Sequence, residues 1–100
     1  MGFVAEYPYQ LLLHSSMWLE QDNALTRSFR FKDFQTAFSF MTDVAEEAEY
    51  QEHHPWWSNE YNVVTFRLRT HDSGNSITAK DHQLAAAIDK LAEMYKATSA

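Results

Sequence analysis

The sequence predicts a single α+β domain over residues 1–100, in which two long helices pack on one face of a four-stranded antiparallel sheet. Two observations predict this fold. Apolar residues recur every three or four positions in two long stretches, which is typical of amphipathic helices. A pair of short strand-like runs precedes each stretch, and the second run of each pair places large apolar residues on one face, as in half-buried strands. The expected order is ββαββα, with a short additional helix near the N-terminus.

The strands are recognised by their alternation and by the turns between them. Val64, Phe66 and Leu68 share one face of the last strand, and the polar positions between them share the other. Asp22 and Asn23 favour the turn that joins the first two strands. Four strands are expected, at residues 17–20, 25–31, 56–58 and 62–70.

The helices are recognised by their capping residues. Asp33 is a good N-cap for a helix that continues to Tyr50. Thr78, with Asp81 three residues later, resembles a capping box at the start of the second helix. Pro8 is expected to open the short N-terminal helix through Leu11–Leu13. The apolar stripes are expected to comprise Phe34, Ala37, Phe38, Met41, Val44, Ala45 and Ala48 in the first long helix, and Leu84, Ile88, Leu91 and Tyr95 in the second.

Composition excludes several classes of function. The chain has 8 Lys and Arg against 14 Asp and Glu, a net charge of −6, which disfavours direct binding to nucleic acid. It has no cysteine, so disulfides, thiol nucleophiles and cysteine-based zinc sites are excluded. No apolar run is long enough for a bilayer, and no basic segment precedes one, so we expect neither membrane insertion nor secretion. We therefore expect a location in the cytoplasm, with the nucleus as the alternative.

The aromatic content suggests self-association. Fifteen residues in a hundred are Phe, Trp or Tyr, and a domain of this length has a small core. Some of these rings are therefore expected to line a pocket or a contact between subunits. We expect a homo-oligomer, either a dimer or a tetramer.

A histidine cluster is the main functional signal. Three of the five histidines, His53, His54 and His71, fall within nineteen positions, close to carboxylates and aromatic rings. The unperturbed histidine pKa of ~6.5 suits proton transfer near neutrality. Adjacent residues of an extended chain point to opposite sides, so His53 and His54 are not expected to grip one ligand symmetrically. If the last strand lies beside the His-His-Pro segment, His71 returns to the same cleft.

Other interpretations of these residues stay open at this point. The trio could be a chance cluster, and His53 could simply cap the C-terminal end of a helix. A zinc site is disfavoured, because the known helical signatures place two histidines three or four positions apart. Trp56 and Trp57 are more typical of a core or an interface than of a ligand platform. Two further histidines, His14 and His82, are interpreted as solvated surface residues.

The spacing of these residues resembles a known family, the pterin-4a-carbinolamine dehydratases, one of which is also the dimerisation cofactor of a homeodomain transcription factor. The family pattern is a charged residue, three spacers, His-His-Pro, five spacers, an aromatic residue, nine spacers, His, eight to fifteen spacers and Asp. The resemblance covers about residues 17–95, and every gap is in range. The matching residues are Glu49, His53-His54-Pro55, Tyr61, His71 and Asp81.

The resemblance implies an activity. The family removes water from a 4a-hydroxytetrahydropterin to give quinonoid dihydropterin, as part of tetrahydrobiopterin recycling. The pterin is the substrate, and the resemblance implies no metal or redox cofactor. His53, His54 and His71 would be the catalytic set. One histidine would protonate the leaving hydroxyl group, with His53 or His54 as the candidates, and His71 would assist removal of the N5 proton. The residues implied in substrate binding are Glu49, Glu52, Pro55, Trp57, Thr70, Lys80 and Asp81.

The chain departs from the family pattern at two positions. The family often has an acidic residue where this chain has Trp56, so we expect different packing at the pocket rim with activity retained. It usually has Gly before the early Trp, where this chain has Met17 before Trp18. The alternative function belongs to another class, a non-catalytic protein that binds a transcription factor through its helical surface.

Overall fold

The computed structural model describes residues 17–100 and shows an antiparallel sheet with two long helices on one face. The helix expected from Pro8, and the surface position expected for His14, lie outside the described residues. No helix between residues 17 and 100 is long and apolar enough to cross a membrane. The elements in chain order are β1 (Leu19–Gln21), β2 (Ala24–Arg30), α1 (Phe34–Gln51), β3 (Trp56–Glu60), β4 (Val63–Leu68), α2 (Ala79–Met94) and β5 (Thr98–Ser99).

Within residues 17–100 the sheet has five strands, so the expectation of four is wrong. Four strands lie in the order β1-β2-β4-β3, and β5 pairs with the end of β2 beside Phe29 and Arg30. The short β1 pairs only with Ala24–Thr26, which leaves the rest of that edge of β2 free for β5. Two residues at a chain end carry no alternating pattern, so the sequence contains no sign of this strand.

The second hairpin differs from the expectation in its turn. β3 continues to Glu60, beyond the predicted end at Ser58, and β4 is shorter than the predicted 62–70. The turn lies at Tyr61 and Asn62, where Tyr61 has a left-handed φ of 50°. The side chain of Asn59 stabilises it by donating hydrogen bonds to two carbonyl oxygens across the turn.

The core lies between the sheet and the two helices. Alternation places one face of β4 against the helices, and its residues Val64, Phe66 and Leu68 are almost fully buried, as predicted. Phe29 of β2 contacts Phe66 edge to face, with ring centres 6.0 Å apart. Burying large rings is the dominant favourable term in a domain of this size. The other buried apolar residues are Trp18, Ala24, Leu25, Phe31, Ala37, Phe40, Val44, Ala48, Leu84, Ala85, Ile88 and Ala92.

Helix α1 buries a different stripe from the one predicted. Asp33 is the N-cap, as expected, and its side chain accepts a hydrogen bond from the Thr36 N–H at 2.8 Å. The hydrogen bonds with Thr36 lower the pKa of Asp33. Phe40 is fully buried, whereas Phe34 and Phe38 are 46% and 55% exposed. The predicted inclusion of Phe34 and Phe38, and of the exposed Ala45, is therefore wrong, because the helix turns Phe40 toward the sheet.

The C-terminal end of α1 determines the path into the histidine segment. Glu52 is left-handed at φ 54°, and its N–H donates to the carbonyl groups of Ala48 and Glu49. The next N–H, of His53, also donates to the Ala48 carbonyl at 3.0 Å. This reversal satisfies carbonyls that a helix end leaves free. It directs His53 into the protein, where it is buried, and leaves His54 exposed.

Helix α2 begins with the predicted capping box. The Thr78 side chain accepts a hydrogen bond from the first turn of the helix, and the Asp81 carboxylate accepts one from the Thr78 N–H at 2.8 Å. Asp81 is fully buried, although an acidic side chain is rarely buried without partners. Leu84 and Ile88 face the core as expected. At the C-terminal end of α2, the Tyr95 hydroxyl donates a hydrogen bond to the Asp43 carboxylate of α1. This hydrogen bond raises the pKa of Tyr95.

Replacing Phe40 by alanine tests the register of α1. We expect Phe40→Ala to lower the free energy of unfolding by about 3–5 kcal/mol, because it empties a buried site among aromatic rings. The matched control, Phe38→Ala on the same helix, should cost less than half as much because its ring is mostly exposed. Urea unfolding followed by circular dichroism measures both. Equal losses would show that the helix is rotated about its axis relative to this arrangement.

Candidate active site

A cavity of about 390 Å³ brings the three clustered histidines together. It lies where β3 begins and β4 ends, which antiparallel pairing places at the same end of the sheet. A short 3₁₀ turn, His71–Ser73, follows β4 and closes one side. The lining residues are Glu52, His53, His54, Pro55, Trp56, Arg69, Thr70, His71, Asp72 and Lys80.

His53 forms a buried pair with Asp81, which lies 28 positions away in the sequence. The distance between His53 Nε2 and Asp81 Oδ1 is 2.6 Å. The side chain of His53 is 10% exposed and that of Asp81 is not exposed. A carboxylate only accepts hydrogen bonds, so the pairing places the imidazole proton on Nε2. The remaining ring nitrogen, Nδ1, is then available as an acceptor to a molecule in the cavity.

Two threonines fix the position of this carboxylate. The second carboxylate oxygen of Asp81 accepts from the Thr70 hydroxyl and from the Thr78 N–H, both at 2.8 Å. The Thr70 hydroxyl has one proton, which it gives to Asp81, so the Thr78 hydroxyl is the donor in the 2.6 Å contact between the two threonines. A buried carboxylate satisfied on both oxygens holds its histidine in one orientation.

The other two histidines are exposed and differ in their partners. His54 Nε2 lies 2.6 Å from the Glu49 carboxylate, and both side chains are largely exposed, at 62% and 78%. Solvent screens such a pair, so it orients the ring more than it stabilises the fold. His71 is exposed, and its ring has no hydrogen-bond partner among the described residues. The cavity therefore holds one buried, oriented imidazole and two imidazoles at its solvent side.

The residues expected in substrate binding fall into two groups. Glu52, Pro55, Thr70 and Lys80 line the cavity itself. Glu49 and Asp81 lie behind the histidines and bond to His54 and His53 respectively. Trp57 belongs to neither group.

The two tryptophans lie on opposite faces of β3, and Trp57, which the resemblance implied in substrate binding, does not line the cavity. Trp57 is half-buried and packs against Phe66 of the core, with ring centres 5.8 Å apart. Trp56 lines the cavity instead and is 55% exposed. Alternation along β3 was the available signal, because the strand must place one indole on each face. Arg69 and Asp72 also line the cavity and were not predicted.

Two other observations limit the alternatives within residues 17–100. No group of three or more His, Asp or Glu side chains there is arranged to hold a metal ion. A larger groove of about 1090 Å³ runs along α2 and is lined mainly by apolar atoms and small residues. It includes His82, which is exposed as predicted, but none of the three clustered histidines.

Comparison with known proteins identifies the family of this chain. The family model described as pterin 4 alpha carbinolamine dehydratase matches residues 5–91. The chain belongs to this family. A protein of Rhodospirillum rubrum with the provisional name pterin-4-alpha-carbinolamine dehydratase is 62% identical over 68 residues, which are 68% of this chain and 70% of the relative. A protein of Bradyrhizobium sp. (strain BTAi1) with the same provisional name is 47% identical over 90 residues, covering 88% and 90% of the two chains.

Solved structures share the fold. A transcriptional coactivator/pterin dehydratase from Brucella melitensis superposes with a TM-score of 0.74 at 38% identity, covering 86% of this chain and 96% of its own. A pterin dehydratase-like protein, described as a RuBisCO assembly factor in the alpha-carboxysome, has a TM-score of 0.66. It is 24% identical and covers 79% of this chain and 93% of its own, and at that identity it supports the fold alone.

The His53–Asp81 pair predicts the tautomer of one histidine. We expect His53 to be the Nε2-protonated tautomer, because its Nε2 faces a carboxylate at 2.6 Å. His71, whose ring has no described partner, should populate both neutral tautomers and serves as the control. Nitrogen-15 NMR of the imidazole groups distinguishes the two forms. A mixture of tautomers at His53 would contradict the described contact.

Proposed function

We propose that this protein dehydrates 4a-hydroxytetrahydropterins to quinonoid dihydropterins by histidine acid and base catalysis. The observation that supports it best is the shared cavity of His53, His54 and His71, which come from two separate segments of the chain. Membership of the dehydratase family supports the same reaction class. A cavity of about 390 Å³ falls in the usual range for small-molecule sites, about 300–1,000 Å³.

The reaction needs one proton donor and one proton acceptor. The bond between C4a and the hydroxyl oxygen breaks with its electron pair going to oxygen, and a donor supplies the proton that turns the leaving group into water. The N5–H bond breaks, its electrons form the C4a=N5 double bond, and an acceptor takes the proton. Each such transfer typically contributes about 10²–10⁴-fold.

The proposed roles follow from the hydrogen bonds of each ring. His53 is the acceptor at N5, because its Nε2 proton is held by Asp81 and only Nδ1 is left to accept. His71 is the donor to the leaving hydroxyl, because its ring is exposed and exchanges protons directly with solvent. This assignment reverses the sequence-based expectation for His71. His54, oriented by Glu49, holds the substrate at the solvent side of the cavity.

The polar lining would hold the pterin ring. Glu52 and Asp72 present carboxylates, which are pure acceptors when ionised and suit the amino and N3–H donors of a pterin. Lys80 lies at the first turn of α2 and presents donors for the pterin carbonyl. Thr70 and Asp81 are positioning residues, since they act through His53. No residue in this scheme requires a metal or redox cofactor.

Self-association through α1 is part of the proposal. The exposed rings of Phe34 and Phe38 lie 5.9 Å apart on the outer side of the helix, and large exposed apolar patches often mark contacts between proteins. The occupant we propose is a second copy of this chain. The Brucella relative is described as both a coactivator and a dehydratase. A transcription-factor partner is therefore the alternative occupant of the same helical surface.

Removing single histidines tests the proposed activity. We expect His53→Ala and His71→Ala each to lower the rate of carbinolamine dehydration about tenfold or more, because each deletes one proton transfer. Stopped-flow absorbance with a 4a-hydroxytetrahydropterin, corrected for the uncatalysed rate, measures this. His82→Ala, a histidine on the exposed side of α2, should keep the wild-type rate. Wild-type turnover in both site variants would remove these residues from the mechanism.

The oligomeric state tests the proposed helical contact. We expect a dimer or tetramer at micromolar concentration in sedimentation velocity, and a smaller species for the variant Phe34→Ser/Phe38→Ser, which removes both exposed rings. Tyr61→Ser, which removes an exposed ring at the β3–β4 turn, is the control and should leave the mass unchanged. A monomeric wild-type protein would rule out self-association.

A further inference from the structure

The outer face of the sheet carries an aromatic and cationic surface that continues from the histidine cavity. We propose that Trp56, Arg67 and Arg69 form a subsite for an aromatic, negatively charged substituent on the pterin. This inference rests on the proposed function, because it concerns the part of the substrate beyond the reacting ring. The three residues are called the rim subsite below.

The indole of Trp56 is placed by strand pairing. Trp56 of β3 is paired directly with Arg67 of β4, so both side chains point away from the helices. The guanidinium carbon of Arg67 lies over the indole, 5.7 Å from the ring centre, within the range of a cation–π contact. Trp56 is nevertheless 55% exposed. A ring held by one neighbour and open to solvent is a ready surface for stacking by a planar ligand.

The rim subsite is continuous with the cavity. Trp56 and Arg69 line it together with His54 and His71. A ligand whose bicyclic ring lies against the histidines is therefore in the same cavity as the indole of Trp56. Such a ligand needs a flat substituent to make full use of the indole face.

The arginines of the rim subsite have no acidic partner. Among residues 17–100, no carboxylate lies within 4 Å of the guanidinium group of Arg67 or Arg69. Arg27 provides the contrast, since it pairs with Asp89 at 2.8 Å. Arg30 also has no carboxylate partner among the described residues, but it lies away from the cavity. The planar donors of Arg67 and Arg69, beside the cavity, match a carboxylate and can hold it in a bidentate manner.

These properties select among pterin substituents. A short polyol side chain offers neither a ring for Trp56 nor a charge for Arg69. An aminobenzoate substituent, as in pteroate, offers both in the order that the rim subsite presents them. The preferred substrate class is therefore a reduced pterin with an aromatic, carboxylate-bearing substituent, as in the folates.

A binding comparison with two oxidised, unreactive pterins tests this proposal. Biopterin carries a polyol, and pteroate carries the aromatic carboxylate. We expect wild-type protein to bind pteroate about tenfold more tightly than biopterin, the effect of about one stacking contact with its ion pair. Calorimetric titration gives both dissociation constants. The preference should fall at about 1 M salt, because solvent-exposed charges are screened.

Four variants locate the preference. Trp56→Ala and Arg69→Gln should each reduce the ratio of the two dissociation constants toward one, mainly by weakening pteroate. Arg30→Gln is the matched control, because Arg30 lies at the other end of the same sheet face, in register with Val63 and away from the cavity. It should leave the ratio unchanged. Trp56→Phe keeps a ring and should retain most of the preference.

The outcomes separate the two proposals. Equal affinity for both pterins, or tighter binding of biopterin, would overturn the rim subsite and leave the dehydratase proposal intact. Absence of pteroate binding would also overturn the rim subsite, whereas the dehydratase proposal is decided separately by the stopped-flow assay of the 4a-hydroxytetrahydropterin. A preference for pteroate that survives in both Trp56→Ala and Arg69→Gln would also overturn the rim subsite, because it would place the aromatic substituent elsewhere.

Discussion

The buried carboxylate of Asp81 is the constraint on which both the fold and the site depend. A charge removed from water costs several kcal/mol unless hydrogen bonds satisfy it. Each group that satisfies this carboxylate also belongs to another part of the structure, since the Thr78 N–H begins α2, the Thr70 hydroxyl follows β4, and the His53 ring forms the cavity wall. The start of α2, the residue that follows β4 and the His53 imidazole are therefore held together by hydrogen bonds to the Asp81 side chain. The orientation of the His53 ring and the cap of α2 thus depend on the same carboxylate.

Sheet topology then determines which residues can meet. The His-His-Pro segment enters β3 and the 3₁₀ turn leaves β4, and antiparallel pairing puts these two points at the same end of the sheet. His53 is buried on the core side of the cavity, whereas His54 and His71 are exposed to solvent. This asymmetry places imidazoles of the same cavity in different environments, which is the arrangement that the proposed transfer of two protons requires.

Much of the architecture could be predicted from sequence because its signals are local. Asp33, Thr78 and Asp81 indicate helix starts through side chains that cap nearby N–H groups, and Val64, Phe66 and Leu68 indicate a strand through alternation. The register of α1 was not predicted correctly, since apolar residues surround that helix on more than one side and only packing selects Phe40. The last strand has two residues and no pattern.

The contact between His53 and Asp81 spans 28 positions, so its 2.6 Å geometry is a product of tertiary structure, and the family motif indicates only that both residues matter. The family model matches from residue 5, earlier than the start near residue 17 that the resemblance gave.

Glu52 carries a consequence for the autonomy of the site. A residue with a Cβ in the left-handed region costs about 1–2 kcal/mol relative to the helical alternative, so the local sequence does not by itself favour the reversal that follows α1. The surrounding packing enforces it. A peptide excised from this region, or the same stretch transplanted into another scaffold, would relax and lose the relative orientation of its two imidazoles. The arrangement of the histidines is thus a property of the whole domain and not of the local segment alone.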